Sequence, residues 1–464
     1  MTLIKSISGI RGTIGGKPDE ALTPLDIVKY TSAFGKLIAQ TANSKSVTVV
    51  VGRDARMSGA MVSGIVCATL SGMGIHVIDL GLSTTPTVEM AVTELKADGG
   101  IILTASHNPK QWNALKLLNS KGEFISEETG KELLALASTN NFEYANVNEL
   151  GKYTENKDFL NTHIDKILAL PYVDKDAVRK ADFSIVIDAI NSSGSIAVPA
   201  LLEKLGVRKI QTINATTNGD FAHNPEPLPE HLNELSQTVL KQKAHLGISV
   251  DPDVDRLAFV SEDGEMFGEE YTLVAVADYV LKQHKKGNTV SNLSSTRALR
   301  DVTELNGGTY SASAVGEVNV VKMMKDSKAV IGGEGNGGII LPELHYGRDA
   351  LVGIAIFLTH LAKFGKPVSV LRSSYPSYYI SKNKIELTPE INVDKVLEQV
   401  KQKYKNQPIN TVDGVKIEFD KEWVHLRKSN TEPIIRIYSE SQTQSTAESL
   451  AKKIISDIKE IIKN

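Results

Sequence analysis

Six short apolar runs rich in β-branched residues restrict most strongly what this chain can fold into. Stretches with the apolar spacing of helices separate them. The runs are residues 46–51, 74–80, 100–103, 183–188, 246–250 and 328–331. Alternation of this kind is typical of βαβ units, whose parallel strands are covered by helices on both faces of the sheet. The sequence therefore predicts an α/β fold with mixed, mostly parallel sheets.

The length of 464 residues predicts several domains, because ordinary domains contain about 100 to 200 residues. We place boundaries near residues 150, 256 and 370, with the polar stretch 138–157 as the first linker. After residue 376 the pattern changes to short alternation of charged and apolar residues. The predicted domains are three successive α/β domains, 1–150, 151–256 and 257–370, and a C-terminal α+β domain, 371–464.

The last domain ends in a predicted amphipathic helix. The Ser-x-x-Glu pattern at residues 445–448 is typical of a capping box at a helix N-terminus. An apolar stripe at helical spacing follows it, formed by Leu450, Ile454, Ile455, Ile458 and Ile461. We interpret this stripe as core packing.

The overall charge argues against one class of function. A formal net charge of -3 and a pI near 6.4 do not supply the concentrated positive field that non-specific nucleic-acid binding needs. The N-terminus lacks the pattern of a secretory signal, and no run approaches ~18 apolar residues. We expect a soluble, cytoplasmic protein without a membrane partner. The one cysteine, Cys67, lies among apolar residues and is interpreted as a buried structural thiol.

Four polar or glycine-rich loops follow directly on these apolar runs, at residues 52–56, 104–109, 251–256 and 332–338. In α/β sheets, functional side chains collect at the carboxyl ends of strands. We therefore expect several α/β modules to contribute loops to one site.

Three aspartates in one of these loops form a candidate metal site. Asp251, Asp253 and Asp255 alternate at a period of two, so in an extended segment all three side chains point to one side. Three clustered carboxylates repel one another, and a divalent cation is the simplest compensation. Hard oxygen ligands without histidine or cysteine nearby favour Mg²⁺ over Zn²⁺.

Ser106 is a candidate nucleophile at the end of another apolar run. A serine hydroxyl is a weak nucleophile and needs activation by a base or a metal. His107 is adjacent to it, and Lys116 lies ten residues further along the chain. The hydroxyl and the three carboxylates together suggest metal-assisted phosphoryl transfer.

Two further segments carry polar groups suited to a sugar phosphate. The glycines of residues 332–338 would let the backbone bring Glu334 and Asn336 close to a ligand, where each side chain can hydrogen-bond a vicinal pair of hydroxyls. Near the C-terminus, guanidinium, hydroxyl and amide donors suit a phosphate dianion. These donors are Arg427, Ser429, Asn430, Thr431 and Arg436.

In this order and spacing, the motifs resemble those of the α-D-phosphohexomutase superfamily, which comprises phosphoglucomutases, phosphomannomutases and phosphoglucosamine mutases. The resemblance spans essentially the whole chain. It rests on the Ser-Gly-Ile-Arg-Gly segment 8–12 and on residues 104–109, 251–256, 333–338 and 427–433. It implies a four-domain enzyme in which each domain contributes one loop to a central cleft.

The resemblance also implies a role for each candidate residue. Ser106 would be a phosphoserine that donates and recovers a phosphoryl group, and one of its phosphate oxygens would complete a Mg²⁺ site with the three aspartates. Arg11 and Arg256 would steady the transferring phosphoryl group. His107 and Lys116 would exchange protons with the sugar hydroxyl.

The same resemblance implies how the substrate is bound. Glu334 and Asn336 would recognise the sugar, and the C-terminal donors would bind the phosphate that does not react. The reaction would move a phosphoryl group between O6 and O1 of a hexose through a hexose 1,6-bisphosphate, which is both intermediate and activator. Because the bisphosphate has to turn round, both loops must accept two orientations.

Some residues depart from the family pattern, and several of these differences concern which sugar is preferred. Pro252 separates the first two aspartates where glycine is common, and it removes only a backbone donor. Asn336, Gly338 and Glu317 differ from the dual-specificity mannose/glucose enzymes, which tend to carry histidine in place of Glu317. The residues at these three positions are most similar to those of archaeal-type phosphoglucosamine mutases. An acidic residue near the site favours a protonated 2-amino sugar. We expect conversion of glucosamine 6-phosphate to glucosamine 1-phosphate by a monomer or homodimer, with phosphomannomutase/phosphoglucomutase activity as the alternative.

Two interpretations from other classes stay open at this stage. A haloacid-dehalogenase-like phosphatase would use Asp251 as its nucleophile, since Asp-x-Asp also begins that motif. A sugar-phosphate sensor would bind a hexose phosphate without catalysis.

Overall fold

The computed structural model describes residues 2–6, 9–42, 46–284, 286–388, 391–428 and 434–463. The chain forms two compact units. The first comprises Met1–Thr272 and Asn336–Leu371, and the second comprises Leu273–Gly335 and Arg372–Asn464. Among the described residues, no helix is long and apolar enough to cross a membrane.

A seven-stranded mixed sheet begins the first unit. Its strands are β1 (Leu3–Ser6), β2 (Gly9–Thr13), β3 (Thr48–Arg53), β4 (His76–Leu82), β5 (Gly99–Leu103), β6 (Trp112–Leu118) and β7 (Tyr153–Glu155). Their order is β1-β2-β6-β5-β3-β4-β7. Strands β5, β3, β4 and β7 are parallel, whereas β6 is antiparallel to both β5 and β2.

Helices cover both faces of this sheet, as the apolar runs predict. They are α1 (Pro24–Thr41), α2 (Gly59–Gly72), α3 (Thr85–Glu94) and α4 (Glu127–Thr139). Val49 belongs to a buried cluster with Phe34 of α1, whereas its neighbour Val50 belongs to a second cluster with Val88 of α3. Successive strand residues point to opposite faces, so one apolar run supplies both cores.

The second sheet of the first unit has four strands. They are β8 (Ser184–Asp188), β9 (Lys209–Ile213), β10 (Leu246–Val250) and β11 (Leu257–Ser261), in the order β11-β10-β8-β9. Strand β8 is parallel to β9 and β10, and β11 is antiparallel to β10. The predicted boundary at residue 256 thus falls between two paired strands. The helices of this part are α5 (Phe159–Leu168), α6 (Lys175–Ala181), α7 (Gly194–Leu205) and α8 (Asn233–Gln242), with a 3-10 turn at Pro229–His231. Another 3-10 turn, Val147–Glu149, precedes β7 of the first sheet.

A third α/β segment follows α9 (Glu269–Leu281). Its elements are β12 (Asn288–Asn292), α10 (Ala298–Leu305), β13 (Tyr310–Ser313), α11 (Glu317–Ser327) and β14 (Ala329–Glu334). Strand β12 is parallel to both β13 and β14. The chain then returns to the first unit with β15 (Gly338–Ile340) and α12 (Ala350–Phe364), before α13 (Val368–Ser373). The Asp349 side chain caps α12 by accepting bonds from the N–H groups of Leu351 and Val352.

The C-terminal part of the second unit is α+β, as predicted. Its antiparallel sheet has the order β16-β20-β19-β18-β17, formed by β16 (Tyr379–Glu386), β17 (Ile409–Asn410), β18 (Val415–Glu418), β19 (Trp423–Lys428) and β20 (Ile434–Ser441). Helices α14 (Val393–Lys403) and α15 (Gln444–Lys463) pack with it. The predicted apolar stripe of α15 lies in this core, with Leu450, Ile454 and Ile458 buried and Ile455 and Ile461 partly buried.

The six apolar runs all form strands, and β10 has the predicted bounds. Two local expectations were wrong. The stretch 138–157 is not only a linker, because β7 extends the first sheet by pairing with β4. Helix α15 begins one residue before Ser445, and it is the Thr443 Oγ1 that accepts the Thr446 N–H at 3.2 Å. Cys67 is buried as expected, and burial raises the pKa of its thiol to about 12.

Buried ionisable side chains form a chain of contacts beside α12. Asp349 Oδ2 lies 2.8 Å from His163 Nε2 and 3.3 Å from His345 Nε2. His345 Nδ1 lies 3.4 Å from Glu89 Oε2. Burial by itself would lower the pKa of His345, but its contacts with Asp349 and Glu89 outweigh burial and raise it to about 10. The His345 imidazole is therefore a mostly buried cation at neutral pH.

We expect this cluster to make the stability of the fold decrease at alkaline pH. Because folding raises the pKa of His345 above 6.5, its stabilising contribution is complete below about pH 6.5 and is lost as the pH rises towards 10. The His345→Gln variant should unfold at a lower temperature than wild type at pH 6.5, and this difference should shrink by pH 10. Thermal unfolding followed by circular dichroism tests this, with His76→Gln as control. A difference that is the same at both pH values contradicts the expectation.

Candidate active site

Ser106 lies in the loop that follows the buried strand β5. Its backbone is in the left-handed region, with φ of 50°, which is uncommon for a residue other than glycine. The Ser106 N–H donates to Thr104 Oγ1 at 2.9 Å, and its hydroxyl donates to Asp251 Oδ2 at 2.8 Å. The structure therefore brings the candidate nucleophile into direct contact with the aspartate loop.

The three aspartates converge through a turn and not through an extended segment. The Val254 N–H donates to the Asp251 carbonyl at 3.1 Å, and Val254 has a φ of 62°. A left-handed β-branched residue is strained and persists only where surrounding contacts hold it. Val254 is fully buried. The alternation of aspartates thus predicted the right cluster from the wrong backbone geometry.

The carboxylates have the arrangement of a candidate metal site. One ligand oxygen from each of Asp251, Asp253 and Asp255 lies within 4.8 Å of the others, and all three residues are fully buried. Asp253 Oδ1 and Asp255 Oδ1 have no hydrogen-bond partner in the described part of the chain. Burial raises the pKa of Asp251, and the negative charges of Asp253 and Asp255 raise it further. Buried carboxylates with unused oxygens fit a hard divalent cation.

Cationic side chains compensate part of this negative charge. Lys116 Nζ donates to Asp253 Oδ2 at 2.8 Å and lies 3.6 Å from Asp255 Oδ2. Arg348 donates to Asp255 Oδ2 at 2.7 Å, and the Thr85 hydroxyl donates to Asp253 Oδ2 at 2.6 Å. Burial would lower the pKa of Lys116, but the two carboxylates outweigh it and the pKa lies above its ordinary value. Lys116 is therefore a charged ammonium here.

His107 lies beside the serine. Its Nδ1 is 3.4 Å from Ser106 Oγ. Burial lowers the pKa of His107 to about 2, and the positive charges of Arg256 and Arg11 act in the same direction. The imidazole is therefore neutral at neutral pH.

The two predicted arginines reach the same loops. Arg11 donates to Asn108 Oδ1 at 2.9 Å, within the serine loop. Arg256 donates to Glu226 Oε1 at 2.9 Å, and its Nε lies 4.0 Å from Asp251 Oδ2. Burial lowers the pKa of Arg11 from its ordinary value, although nearby Asp253 opposes this.

Arg56 holds the backbone of the serine loop. Its guanidinium is buried, and Nε donates to Asp54 Oδ2 at 3.0 Å. The remaining nitrogens donate to backbone carbonyls of the loop. The acceptors are Ser106 O, Asn108 O, Pro109 O and Trp112 O. One side chain therefore supports the left-handed conformation at Ser106 through four carbonyls.

Sequence reasoning missed Arg56, Thr85 and Arg348. Arg56 belongs to residues 52–56, one of the four loops at strand ends, and this position is the sequence signal that indicates it. Arg348 precedes α12 and belongs to no motif, so only its position in space connects it with Asp255.

The predicted sugar-binding carboxylate lies in the second unit. Glu334 Oε1 accepts hydrogen bonds from Asn292 Nδ2 at 3.0 Å and from the Gly316 N–H at 3.2 Å. Asn336 belongs to the first unit, where its Oδ1 accepts the Gly338 N–H at 3.2 Å.

The predicted phosphate-binding residues are partly described. Arg427 Nε lies 2.8 Å from Asp413 Oδ2, and Arg427 is the β-sheet partner of Arg436 on β20. Three of the predicted donors lie outside the described residues. They are Ser429, Asn430 and Thr431.

Comparison with known proteins identifies the family. Four models match in chain order: phosphoglucomutase/phosphomannomutase α/β/α domain I at residues 3–144, domain II at 161–264, domain III at 268–378 and the C-terminal domain at 386–456. A phosphoglucomutase/phosphomannomutase from Thermococcus kodakarensis is 36% identical over 97% of this chain and 99% of its own length. The chain belongs to the phosphoglucomutase/phosphomannomutase superfamily. It is a phosphohexomutase.

Other relatives of this phosphohexomutase carry different names. A probable phosphoglucosamine mutase from Methanopyrus kandleri is 32% identical over 98% of this chain and 97% of its own. A phosphoglucomutase/phosphomannomutase family protein from Burkholderia thailandensis shares the fold with a TM-score of 0.84 at 23% identity, over 98% and 96% of the two chains. Aspergillus fumigatus N-acetylphosphoglucosamine mutase, solved with GlcNAc-6P and magnesium, shares it with a TM-score of 0.53 at 14% identity, over 90% and 84%.

We expect Arg56→Lys to lower kcat of the phosphohexomutase roughly 10- to 100-fold with little change in KM, because a single ammonium cannot replace a planar fork that holds several carbonyls. Steady-state conversion of hexose 1-phosphates measures both constants. Arg53→Lys, at the end of β3 just before this loop, is the matched control, and it should retain most of the wild-type kcat. If Arg56→Lys keeps the wild-type kcat, the contacts of Arg56 with the loop carbonyls do not position Ser106.

Proposed function

We propose that this phosphohexomutase moves a phosphoryl group between O6 and O1 of a hexose, through a phosphoserine at Ser106 and a hexose 1,6-bisphosphate. In one half-reaction the bond between Ser106 Oγ and phosphorus breaks while a sugar hydroxyl oxygen forms a new bond to phosphorus and releases its proton. The other half-reaction reverses these events at the second sugar oxygen. The bisphosphate is therefore both intermediate and activator.

The contact that carries this proposal is the 2.8 Å hydrogen bond from Ser106 Oγ to Asp251 Oδ2. It puts a hydroxyl that can carry a phosphate against a cation-binding cluster of carboxylates. The alternative of an aspartyl phosphatase needs Asp251 as a free nucleophile. Instead, its Oδ1 accepts the N–H groups of Asp255 and Arg256, both at 3.1 Å.

The proposed metal ligands are Asp251, Asp253, Asp255 and a phosphoryl oxygen on Ser106. Bound Mg²⁺ would supply positive charge to the transferring phosphoryl group. The buried oxygens of Asp253 and Asp255 that lack hydrogen-bond partners among the described residues support this ligand set. The magnesium in the Aspergillus fumigatus structure is consistent with it.

The chain's own residues would complete the phosphoryl site. Phosphoryl transfer needs in-line positioning and stabilisation of charge, and little covalent work by the protein. Arg11 and Arg256 would steady the phosphoryl oxygens, and the Lys116 ammonium would add positive charge close to Asp253. His107, whose Nδ1 lies 3.4 Å from Ser106 Oγ, and Lys116 would exchange protons with the sugar hydroxyl.

The substrate would be bound by residues from the remaining loops. Glu334 and Asn336 would accept hydrogen bonds from the sugar hydroxyls. The non-reacting phosphate would be bound by Arg427, Ser429, Asn430, Thr431 and Arg436. Guanidinium groups bind phosphate through paired donors, and short hydroxyl and amide side chains can reach the other oxygens.

The proposed substrate is glucosamine 6-phosphate, which gives glucosamine 1-phosphate, and the alternative is phosphomannomutase/phosphoglucomutase activity. The names of the relatives include both classes. Glu317 favours the amino sugar, because it begins α11 next to Gly316, the residue that donates to Glu334. A carboxylate at this position would attract a protonated 2-amino group.

We also propose that the enzyme works in the cytoplasm as a monomer or homodimer, without a nucleic-acid or membrane partner. The division into domains 1–150, 151–256, 257–370 and 371–464 is likewise a proposal. Size-exclusion chromatography with light scattering measures the oligomeric state directly.

Intact mass spectrometry of purified wild type should detect a fraction of chains heavier by one phosphoryl group, and Ser106→Ala should lack it. The same variant should lose roughly a thousandfold or more of kcat, because the group that carries the phosphate is gone. The control is Ser63→Ala, which replaces another serine of the first unit. It should retain both the phosphorylated fraction and the kcat of wild type. Phosphate on Asp251, or undiminished turnover in Ser106→Ala, is incompatible with the mutase mechanism.

Comparison of kcat/KM for glucosamine, glucose and mannose 1-phosphates decides the sugar. We expect glucosamine 1-phosphate to have the highest value, and Glu317→Gln to reduce its advantage over glucose 1-phosphate by roughly tenfold, because a charge-assisted hydrogen bond is lost. If glucosamine 1-phosphate is the poorest of the three, the proposed specificity is wrong while the mutase reaction stands.

A further inference from the structure

Asp413 lies in the turn between β17 and β18 and contacts two segments that the proposed function assigns to different parts of the substrate. Its Oδ2 lies 2.8 Å from Nε of Arg427. The same oxygen accepts the Val315 N–H at 3.0 Å. One carboxylate oxygen therefore joins the phosphate-binding arginine to the loop that precedes α11.

That loop leads directly to the sugar-binding carboxylate. Gly316 follows Val315 and donates its N–H to Glu334 Oε1 at 3.2 Å. Gly316 has a φ of 113°, a conformation that residues with side chains rarely adopt. Because the peptide between Val315 and Gly316 is planar and short, a movement of one residue moves the donor that holds Glu334.

The backbone holds Asp413 in place. Its carbonyl accepts a hydrogen bond from His425 Nε2 at 2.6 Å, and His425 Nδ1 lies 3.0 Å from Ser294 Oγ. The next residue, Gly414, has a φ of 75°, and a Cβ there would lie 2.1 Å from the Leu426 carbonyl oxygen. The turn therefore requires glycine, and it presents the carboxylate in a defined direction.

We propose that Asp413 is a positioning residue that couples recognition of the non-reacting phosphate at Arg427 to recognition of the sugar at Glu334. This inference rests on the proposed function, which assigns these two side chains to phosphate and sugar. The 2.8 Å contact is an ion pair, because the N–H of Arg427 Nε is not aligned with a hydrogen-bond acceptor among the described residues. The guanidinium is a rigid planar fork, so a carboxylate charge beside Nε restricts the position of the whole group.

The proposed reaction explains why such coupling would be useful. The 1,6-bisphosphate has to be recognised in two orientations, with either of its phosphates at Arg427. The contacts through Asp413, Val315 and Gly316 keep the distance between the Arg427 guanidinium and the Glu334 carboxylate the same in both orientations of the bisphosphate.

The test measures affinity without turnover, in a Ser106→Ala background. Calorimetric titration with glucosamine 6-phosphate, and separately with glucose 6-phosphate, gives Kd. We expect Asp413→Ala to raise Kd by about tenfold, since a charge-assisted contact is lost. Asp413→Asn retains an oxygen for the Val315 N–H but not the charge, and it should lie between Asp413→Ala and the Ser106→Ala parent. With Ser106 restored, Asp413→Ala should raise KM by a similar factor and leave kcat within about twofold.

The matched control is Asp394→Ala. Asp394 forms an exposed ion pair at 3.0 Å with Lys428, the neighbour of Arg427, so its loss should leave Kd within about twofold. Coupling itself is measured by combining Arg427→Ala with Glu334→Gln. Their effects on Kd should be non-additive when Asp413 is present and additive in Asp413→Ala.

The outcomes separate the two proposals. If Arg427→Ala and Glu334→Gln each leave Kd unchanged, the substrate assignment is wrong and the inference falls with it. If both weaken binding but are additive in the presence of Asp413, only the coupling is wrong. A loss in Asp413→Ala that affects kcat and not KM, or an unchanged Kd in both Asp413 variants, also overturns the positioning role. Thermal unfolding of Asp413→Asn checks that its change in Kd comes from a folded protein.

Discussion

The negative charge of the buried turn at residues 251–256 is the constraint on which the rest of the proposed phosphoryl site depends. Removing carboxylates from water costs several kcal/mol for each unless cations and hydrogen bonds compensate them. Lys116 from β6, Arg348 from the segment before α12 and the hydroxyl of Ser106 each contact at least one of the three aspartates. The serine loop with β6, and the distant segment before α12, are therefore held around one charge cluster in the first unit. Its unused oxygens make the same cluster suitable for a divalent cation.

Around this cluster, the side chains with proposed roles in the reaction are supported by others that hold the backbone. The left-handed conformation of Ser106 is supported by the Arg56 guanidinium, which is itself fixed by Asp54. In the second unit, the proposed role of Asp413 is to position Arg427 through an ion pair, from a turn fixed by its own hydrogen bonds. In both cases a charged side chain is oriented before any ligand binds. Such preorganisation is what phosphoryl transfer and phosphate recognition require of a protein.

Much of the fold was predictable because strands and helices follow from local periodicity. Residues 246–250 form β10 with the predicted bounds, and the stripe from Leu450 to Ile461 packs on the C-terminal sheet. The predictions were wrong in detail where two local arrangements are both possible. Thr443, and not Ser445, caps α15, because either hydroxyl can start a helix of the same register. The aspartates converge through a turn with Val254 left-handed, which no pattern of residue types indicates.

The sequence by itself determined the residue types of the phosphoryl site and their position at strand ends, because motifs such as 104–109 and 251–256 are local. Only the tertiary structure decided which cation meets which carboxylate. Lys116 and Asp253 are 137 residues apart, and Arg348 and Asp255 are 93 apart. Contacts at such separations depend on how sheets and helices pack, and a linear pattern carries no record of that packing. The bridge from Arg427 through Asp413 to Val315 was invisible in the sequence for the same reason.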